Sequence, residues 1–252
     1  MNFDPTYNPY SLVGKTILIT GASSGIGRAT AIECSKMGAT CIITGRNEER
    51  LNETLSQMAG ECHQIVVADI SIQEGIDVLT ERVPLLDGVV NNAGIGITKP
   101  IAFYKQNDIS DIFQVNAFAP MLIIKSLLKK KKINKNSSLV FISSIATHTY
   151  YFGSGIYGAA KSSLMTYTKY CANELAALNI RSNSLHPGMV ETPFIHDGAI
   201  SEDDMKNDLK GYPLGRYGKP EEIAFAIIYL LSDASAWVTG TNMIIDGGLS
   251  LR

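Results

Sequence analysis

Two stretches of the sequence hold residue types whose spacing can do chemistry. Tyr157 and Lys161 stand four residues apart in a long helix-like run, so on a helix they share one face with Cβ atoms about 5–6 Å apart. An ordinary phenol titrates near pH 10, too high for easy proton exchange at neutrality. An ammonium at that range favours the phenolate and lowers the value. Gly158, Ala159, Ala160, Ser162 and Ser163 surround the pair, and residues that small imply close packing rather than a solvated helix face. The second stretch is Thr20-Gly21-Ala22-Ser23-Ser24-Gly25-Ile26-Gly27, which joins a β-branched run to a helix-like one. Glycines there let the backbone approach a pyrophosphate, and a following helix N-terminus offers unpaired N–H groups. The spacing is G-x-x-x-G-x-G, and a plain strand–helix turn is the alternative reading.

The elements that must position these residues alternate along the chain. Short apolar or β-branched runs recur at 16–20, 40–44, 64–68, 88–90, 139–142, 181–185 and 243–245, with helix-like stretches at 26–37, 48–58, 72–83, 109–132, 156–178 and 220–231. Strands apolar on both faces and separated by helices predict a parallel sheet covered on both sides. Residues 1–13, with Pro5 and Pro9, read as a loose arm, and 14–252 as one domain. The 252 residues are 45% hydrophobic and 18% charged, with a net charge of −2. That balance excludes a disordered chain and gives no electrostatic case for nucleic acid or an anionic membrane. No apolar run approaches the ~18 residues of a membrane span, and no secretion signal opens the chain. Cys34, Cys41, Cys62 and Cys171 lack a metal-binding spacing and read as buried free thiols of a reducing, cytoplasmic compartment. No metal site is expected. The lysines at 129–132 and Lys135 read as the end of a long helix followed by an Asn-rich turn.

The Thr-Gly-x-x-x-Gly-x-Gly spacing resembles the short-chain dehydrogenase/reductase family, and further motifs follow in the family's order. Asn91-Asn92-Ala93-Gly94 ends the fourth strand, Ser144 follows the fifth, and Tyr157 and Lys161 come 13 and 17 residues later. Pro187-Gly188, Thr192-Pro193 and Asp246-Gly247-Gly248 complete the series over about residues 14–248. The 22 steps from Asp69 to Asn91 are short for the family, so the helix between them should be trimmed. The resemblance implies a single doubly wound, Rossmann-like α/β domain, with a seven-stranded parallel sheet and helices on both faces, that binds NAD or NADP.

By resemblance, Tyr157 is the general acid of reduction and the general base of oxidation. Lys161 lowers its pKa and holds the nicotinamide ribose, Ser144 donates to the substrate oxygen, and Asn116 completes a tetrad. Pro120, four residues after Asn116, has no N–H and crowds the carbonyl at i−4. A kink is therefore expected, with the Asn116 carbonyl free to hold a water beside Lys161; the alternative is an Asn116 that bonds a neighbouring strand. The cofactor-binding set implied is Gly21, Ser23, Ser24, Gly25, Ile26, Gly27, Arg46, Asp69, Ile70, Asn91, Ala93, Gly94, Tyr157, Lys161, Pro187, Gly188, Val190 and Thr192. Asp69 would accept from adenine, or cap a helix, or both. An NAD site commonly carries an acid about 20 residues after the glycine motif. Gly45 stands there and Arg46 follows, a residue suited to a 2′-phosphate, so NADP(H) is preferred with NAD(H) possible. Glu48 and Glu49 can neutralise Arg46 or open the next helix.

The substrate site should be lined by 95–97, 145–152 and 189–212, the last including a lid at 194–212 with acids Glu202, Asp203, Asp204 and Asp208. His148, Tyr150, Tyr151 and Phe152 suit a partly apolar carbonyl or alcohol, or pack under the lid or against another subunit. His148 and His196 are not read as metal ligands. The expected activity is an NAD(P)-dependent oxidoreductase of a small-molecule carbonyl/secondary alcohol pair, most like the 3-oxoacyl-carrier-protein reductase branch. The alternatives are a sugar or polyol dehydrogenase, a hydroxysteroid dehydrogenase, and, from another class, a non-catalytic dinucleotide-binding protein. The apolar faces of 109–132 and 156–178, and a second contact at 237–252, lead to an expected homotetramer.

Overall fold

The computed structural model describes residues 7–193 and 202–251. Its strands are β1 (Thr16–Thr20), β2 (Thr40–Gly45), β3 (Gln64–Val67), β4 (Leu86–Asn91), β5 (Ile133–Ile142), β6 (Arg181–Pro187) and β7 (Asn242–Ile245). They form one sheet in the order β3-β2-β1-β4-β5-β6-β7, and every pairing is parallel. The helices are α1 (Gly25–Lys36), α2 (Glu48–Leu55), α3 (Gln73–Arg82), α4 (Gln106–Phe113), α5 (Ala119–Lys129), α6 (Gly155–Glu174), α7 (Glu202–Leu209) and α8 (Pro220–Leu231).

The period-two alternation of the strands sorts the core into two layers. Ile17, Ile19, Cys41, Ile43, Val90, Val140 and Ile142 face α1 and α8. Leu18, Ile42, Val89, Leu139 and Phe141 face α3, α5 and α6. The central strands β1, β2 and β4 and the second half of β5 are largely apolar on both faces because both faces are covered, which is the doubly wound α/β architecture that the pattern predicts. The trimmed helix between Asp69 and Asn91 is α3, ten residues long.

Several local expectations are corrected. The stretch read as one helix over 109–132 is α4, a π-helical turn at Gln114–Phe118, and α5. Together, Gln106–Lys129 is long and apolar enough by composition to cross a membrane, contrary to the reading that no run approaches that length. Its Ala119, Ile123, Ile124 and Leu127 are fully buried against β4 and β5, as in a core helix. The Asn-rich segment is the first half of β5 rather than a turn. Leu86 pairs with Ile133 but Gly88 with Ser138, so the intervening residues bulge, with Asn136 at φ 63°. Cys62 is exposed, whereas Cys34, Cys41 and Cys171 are buried free thiols. The described part of the arm is docked: Leu12 is fully buried, the Pro9 carbonyl accepts from Ala234 N, and Tyr10 packs on Tyr229. Residues 194–201 of the expected lid, His196 among them, and the side chains of Glu202, Asp203 and Asp204 lie outside what is described.

Asp87 clasps three strands. Its Oδ2 accepts from Thr16 N at 2.8 Å and its Oδ1 from Asn134 Nδ2 at 2.7 Å, tying the start of β1 and the bulge of β5 to β4. Asp87→Ala removes both bonds and leaves a half-buried N–H unpaired, a loss of about 1–3 kcal/mol. Thermal unfolding should show a fall of several degrees, with the fold retained by circular dichroism.

Candidate active site

The site forms where β1 and β4 part company. Thr20 Oγ1 accepts from Asn92 N and Ala93 N, both at 3.0 Å, and Asn92 Nδ2 donates to the Thr20 carbonyl at 2.9 Å. Gly21 then turns away at φ +67°, and a Cβ there would lie 2.8 Å from Ala93 Cα. Glycine alone meets both demands. The loop is also held from α2, where Thr54 Oγ1 donates to the Ala22 carbonyl at 2.9 Å, and from α1, where Arg28 donates to the Ser23 carbonyl at 2.7 Å. Thr192, which bonds the Val190 carbonyl, closes the other side against Gly25. Val190 is buried and bridges to Gly218, and Gly188 N bonds Ile245, so the segment after Pro187 is anchored beside the loop.

These residues fit a dinucleotide. Ser24 precedes α1 without capping it through its side chain, and the first turn, which includes Ile26 and Gly27, holds no acid. Its N–H groups and dipole are thus uncompensated within the helix, as an anion requires. The Asn91 side chain is buried with neither polar atom bonded, an open donor and acceptor under the loop. Ser23 Oγ sits by Gly45 at the end of β2, next to the exposed Arg46. Asp69 Oδ1 accepts from Ser71 N at 2.9 Å and Ser71 Oγ at 2.6 Å. Burial works to raise the Asp69 pKa, but the Ser71 bonds and Arg46 outweigh it and hold the carboxyl below its ordinary range. It does not cap α3, whose N-cap is Ile72. Ile26 and Ile70 pack into the two core layers, so they offer backbone. A cavity of about 460 Å³ opens on the loop's outer face, between Ser24, Arg28, Arg50 and Glu191.

The chemical groups converge beyond β5. Ser144 caps a 3-10 turn over Ile145–Thr147, and its Oγ accepts from Ala146 N at 3.1 Å, leaving its own O–H to donate elsewhere. Tyr157 and Lys161 lie in the first turns of α6, a helix-turn apart. Lys161 is 3% exposed, its Nζ donates to the Ile142 carbonyl at 2.8 Å, and it stands 5.9 Å from the Tyr157 ring centroid. Gly94 makes room, because a Cβ there would lie 2.7 Å from Asn116 Oδ1 and 3.2 Å from Lys161 Nζ.

Two expectations change here. Burial pushes the Tyr157 phenol upward, opposed by a hydrogen bond from Ser144 rather than by Lys161. The lysine is itself so desolvated that its pKa falls to about 8. At 5.9 Å, with its ammonium committed to a carbonyl, it does not dominate the phenol as simple i, i+4 geometry predicts. The Asn116 side chain bonds Ile95 in both directions, accepting from its N at 3.1 Å and donating to its carbonyl at 2.8 Å, so it ties to the loop after β4 rather than to a strand. The break before Pro120 is the π-turn, in which Ala119 N reaches the Gln114 carbonyl.

On the substrate side, Tyr212 OH accepts from Met189 N at 3.0 Å, and Tyr217 OH donates to Asp208 of α7 at 3.1 Å. Tyr150 and Phe152 do not cluster inward; they are 92% and 84% exposed. The residue that sequence reasoning missed is His186, fully buried behind Ser144. Its signal was a histidine in a short run rich in small polar residues, Ser182-Asn183-Ser184, ahead of Pro187.

A glycine cradle at the sheet's switch point, with two hydroxyls and a buried ammonium beyond the next strand, defines a doubly wound nucleotide-dependent oxidoreductase. The family model described as enoyl-(acyl carrier protein) reductase matches residues 21–250. Over 244 residues the chain is 35% identical to the 3-oxoacyl-[acyl-carrier-protein] reductase of Thermotoga maritima, covering 94% of this chain and 98% of that one. It is 34% identical over 247 residues to the L-xylulose reductase of Caenorhabditis elegans, covering 96% and 98%. A Beutenbergia cavernae structure described as an NAD(P)-dependent gluconate 5-dehydrogenase, with NADP at low occupancy, matches at a TM-score of 0.88 and 28% identity over 97% of this chain and all of that one. The chain belongs to the short-chain dehydrogenase/reductase family and is an NAD(P)-dependent oxidoreductase.

Lysine in an unfolded chain keeps its proton to about pH 10.5, but Lys161 releases it near 8. The folded state therefore bears the full burial cost of the charge below pH 8 and sheds it progressively between 8 and 10.5. Lys161→Met should raise the melting temperature of the cofactor-free protein at pH 7, with the gain narrowing through that window. An unchanged or lower melting temperature at pH 7 contradicts this.

Proposed function

We propose that the chain is a cytoplasmic NADPH-dependent carbonyl reductase, with Ser144, Tyr157, Lys161 and Asn116 as its working residues. The observation that carries this reading is the meeting of the Ser144 and Tyr157 hydroxyls beside the buried Lys161 ammonium, across from the glycine loop. In it the nicotinamide supplies the hydride. Ser144, whose lone pair is taken by Ala146 N, directs its O–H to the substrate carbonyl oxygen. Tyr157 delivers the proton at its phenol oxygen. Lys161 holds the nicotinamide ribose and keeps a positive charge near that oxygen as the proton leaves. Asn116 fixes the loop after β4, which holds the Lys161 side of the cleft, and its carbonyl, which Pro120 cannot bond, is open to a relay water. The loop from Gly21 to Gly27, with Ala93 and Gly94, takes the pyrophosphate side. Asp69, Ile70 and Asn91 take the adenosine, and Pro187, Gly188, Val190 and Thr192 the nicotinamide.

The substrate reading is a 3-oxoacyl thioester, supported by the Thermotoga maritima relative and by Tyr150 and Phe152 at the mouth. A sugar or polyol is the second reading, supported by the L-xylulose reductase relative and the gluconate dehydrogenase neighbour. Steady-state turnover of NADPH against 3-oxoacyl thioesters, ketoses and ketosteroids separates them. Turnover of ketoses alone overturns the acyl reading, and no turnover with any panel member leaves the non-catalytic alternative standing.

Tyr157→Phe keeps the ring and removes the transferable proton. kcat should fall by roughly 10²–10⁴ with NADPH affinity nearly unchanged; more than about a tenth of the activity remaining removes Tyr157 from the acid/base role. Arg46 answers a 2′-phosphate, so Arg46→Ala should raise the KM for NADPH several-fold and leave that for NADH alone. Equal or better kcat/KM with NADH in the parent enzyme, unchanged in the variant, contradicts this. A homotetramer is proposed from apolar surface left bare on two faces: Ile109, Phe118 and Tyr170 on one, and Phe225, Trp237 and Leu251 on the other, with Trp237 fully exposed. Light scattering at micromolar concentration should give four chain masses, and a monomer overturns the assembly.

A further inference from the structure

His186 lies on β6 directly behind the turn that carries Ser144, and its ring is wholly buried. Nδ1 is 2.9 Å from Thr147 Oγ1, and Nε2 is 2.9 Å from Ser184 Oγ. Each hydroxyl also has an outer partner. Thr147 Oγ1 donates to the Ser144 carbonyl at 2.8 Å, and Ser184 Oγ donates to Asn242 Oδ1 at 2.7 Å on β7. The His148 ring packs on His186 with centroids 5.0 Å apart. Burial first, then His148 and Lys161, bring the His186 pKa down to about 4 against a bond to the Ser144 backbone, so the ring is neutral at pH 7.

A neutral imidazole donates from one nitrogen and accepts at the other, and a hydroxyl donates once. The two tautomers therefore treat Ser144 differently. With the proton on Nδ1, the ring donates to Thr147, and Thr147 keeps its hydrogen on the Ser144 carbonyl. With the proton on Nε2, Thr147 must turn its hydrogen inward, and the Ser144 carbonyl falls back on the longer bond from Thr147 N at 3.2 Å. The far end can adapt: when Ser184 donates to Nε2, a flip of the Asn242 amide presents an N–H to Ser184. The Ser144 carbonyl can only accept. The Nδ1–H tautomer is thus the one that keeps the short Thr147 Oγ1 bond on the Ser144 carbonyl while the other groups in the chain stay paired.

We infer that His186 is a positioning residue for Ser144, acting as an Nδ1–H donor through Thr147 to hold the turn that aims the serine hydroxyl. This rests on the reading of Ser144 as the donor to the substrate oxygen. A donor displaced by about an ångström costs up to ~10²-fold in rate, and no contact of His186 with the cofactor is involved, so the effect belongs in kcat.

Asparagine places an amide near the Nδ1 position and glutamine near Nε2. His186→Asn should therefore keep kcat within about threefold, whereas His186→Gln should lose about tenfold or more. Both should bind NADPH within about twofold of the parent, because the glycine cradle is untouched. Thr147→Val should reproduce the kcat loss, Thr147→Ser should restore it, and Thr147→Val combined with His186→Gln should lose no more than either alone. Ring ¹⁵N shifts should report Nδ1–H for His186. Equal kcat in the Asn and Gln variants, parental kcat in Thr147→Val, or an Nε2–H ring overturns the inference. Thr147 sits on a half-buried turn, so its variants read the linkage even if a change at the buried His186 prevents folding. Full activity in Ser144→Ala instead overturns the role of Ser144, whatever the histidine variants do.

Discussion

The hydrogen bonds that join the ends of β1 and β4 are the constraint on which the rest of the site depends. Both β1 neighbours in the sheet, β2 and β4, run parallel to it, but the chain leaves β1 toward β2 and returns at β4, so a crevice must open between them. Thr20 and Asn92 close its floor. That closure brings the two backbones so near that a Cβ at Gly21 would lie 2.8 Å from Ala93 Cα, so the crossing tolerates no side chain there. The uncompensated N-terminus of α1 then points over the crevice, and the end of β4 opens toward the catalytic helix. A nucleotide and a reacting carbon are brought together by one topological feature.

Electrostatics at the other side of the crevice run against stability. Lys161 is buried with its Nζ on the Ile142 carbonyl, and Tyr157 is desolvated beside it. In a dry site a charge interacts strongly with whatever enters, and among the described residues no carboxylate forms an ion pair with Lys161 to blunt it. The protein tolerates the burial because the sheet beneath is apolar on both faces and α6 is fastened at both ends of the site. Tyr104 OH accepts from Ile156 N, and Ser143 Oγ bonds the Lys161 carbonyl. A rigid helix on a rigid sheet keeps an unfavourable charge in place beside the Tyr157 phenol.

Polar residues in the small, buried end of β6 serve the same purpose. Ser182, Asn183, Ser184 and His186 are all fully buried, an unusual composition for a strand covered on both faces. Asn183 bonds the Val238 carbonyl and Thr241 N, while Ser184 and His186 link β7 to the turn at Ser144. The strand that follows α6 therefore supports the turn at Ser144 from behind, and an all-apolar β6 would leave that turn held by its own backbone.

The sequence by itself determined the order of strands and helices along the chain, the double covering of the sheet and the residue types that the fold brings together at the crevice. Those follow from local quantities: apolar alternation, glycines at a strand end, and the i, i+4 spacing of Tyr157 and Lys161. Boundaries were less legible where tertiary contacts override propensity. The Asn-rich start of β5 pairs because Asp87 and Leu86 draw it to β4, and Pro120 is accommodated by a π-turn that no periodicity announces. Only the tertiary structure decided the balance of charges. Whether Lys161 depresses the Tyr157 pKa depends on how deeply both are buried, and burial is set by β5, Gly94 and Asn116, which are distant in sequence. The same holds for His186: 42 residues separate it from Ser144 in the chain, and they meet because β5 and β6 are neighbours in the sheet.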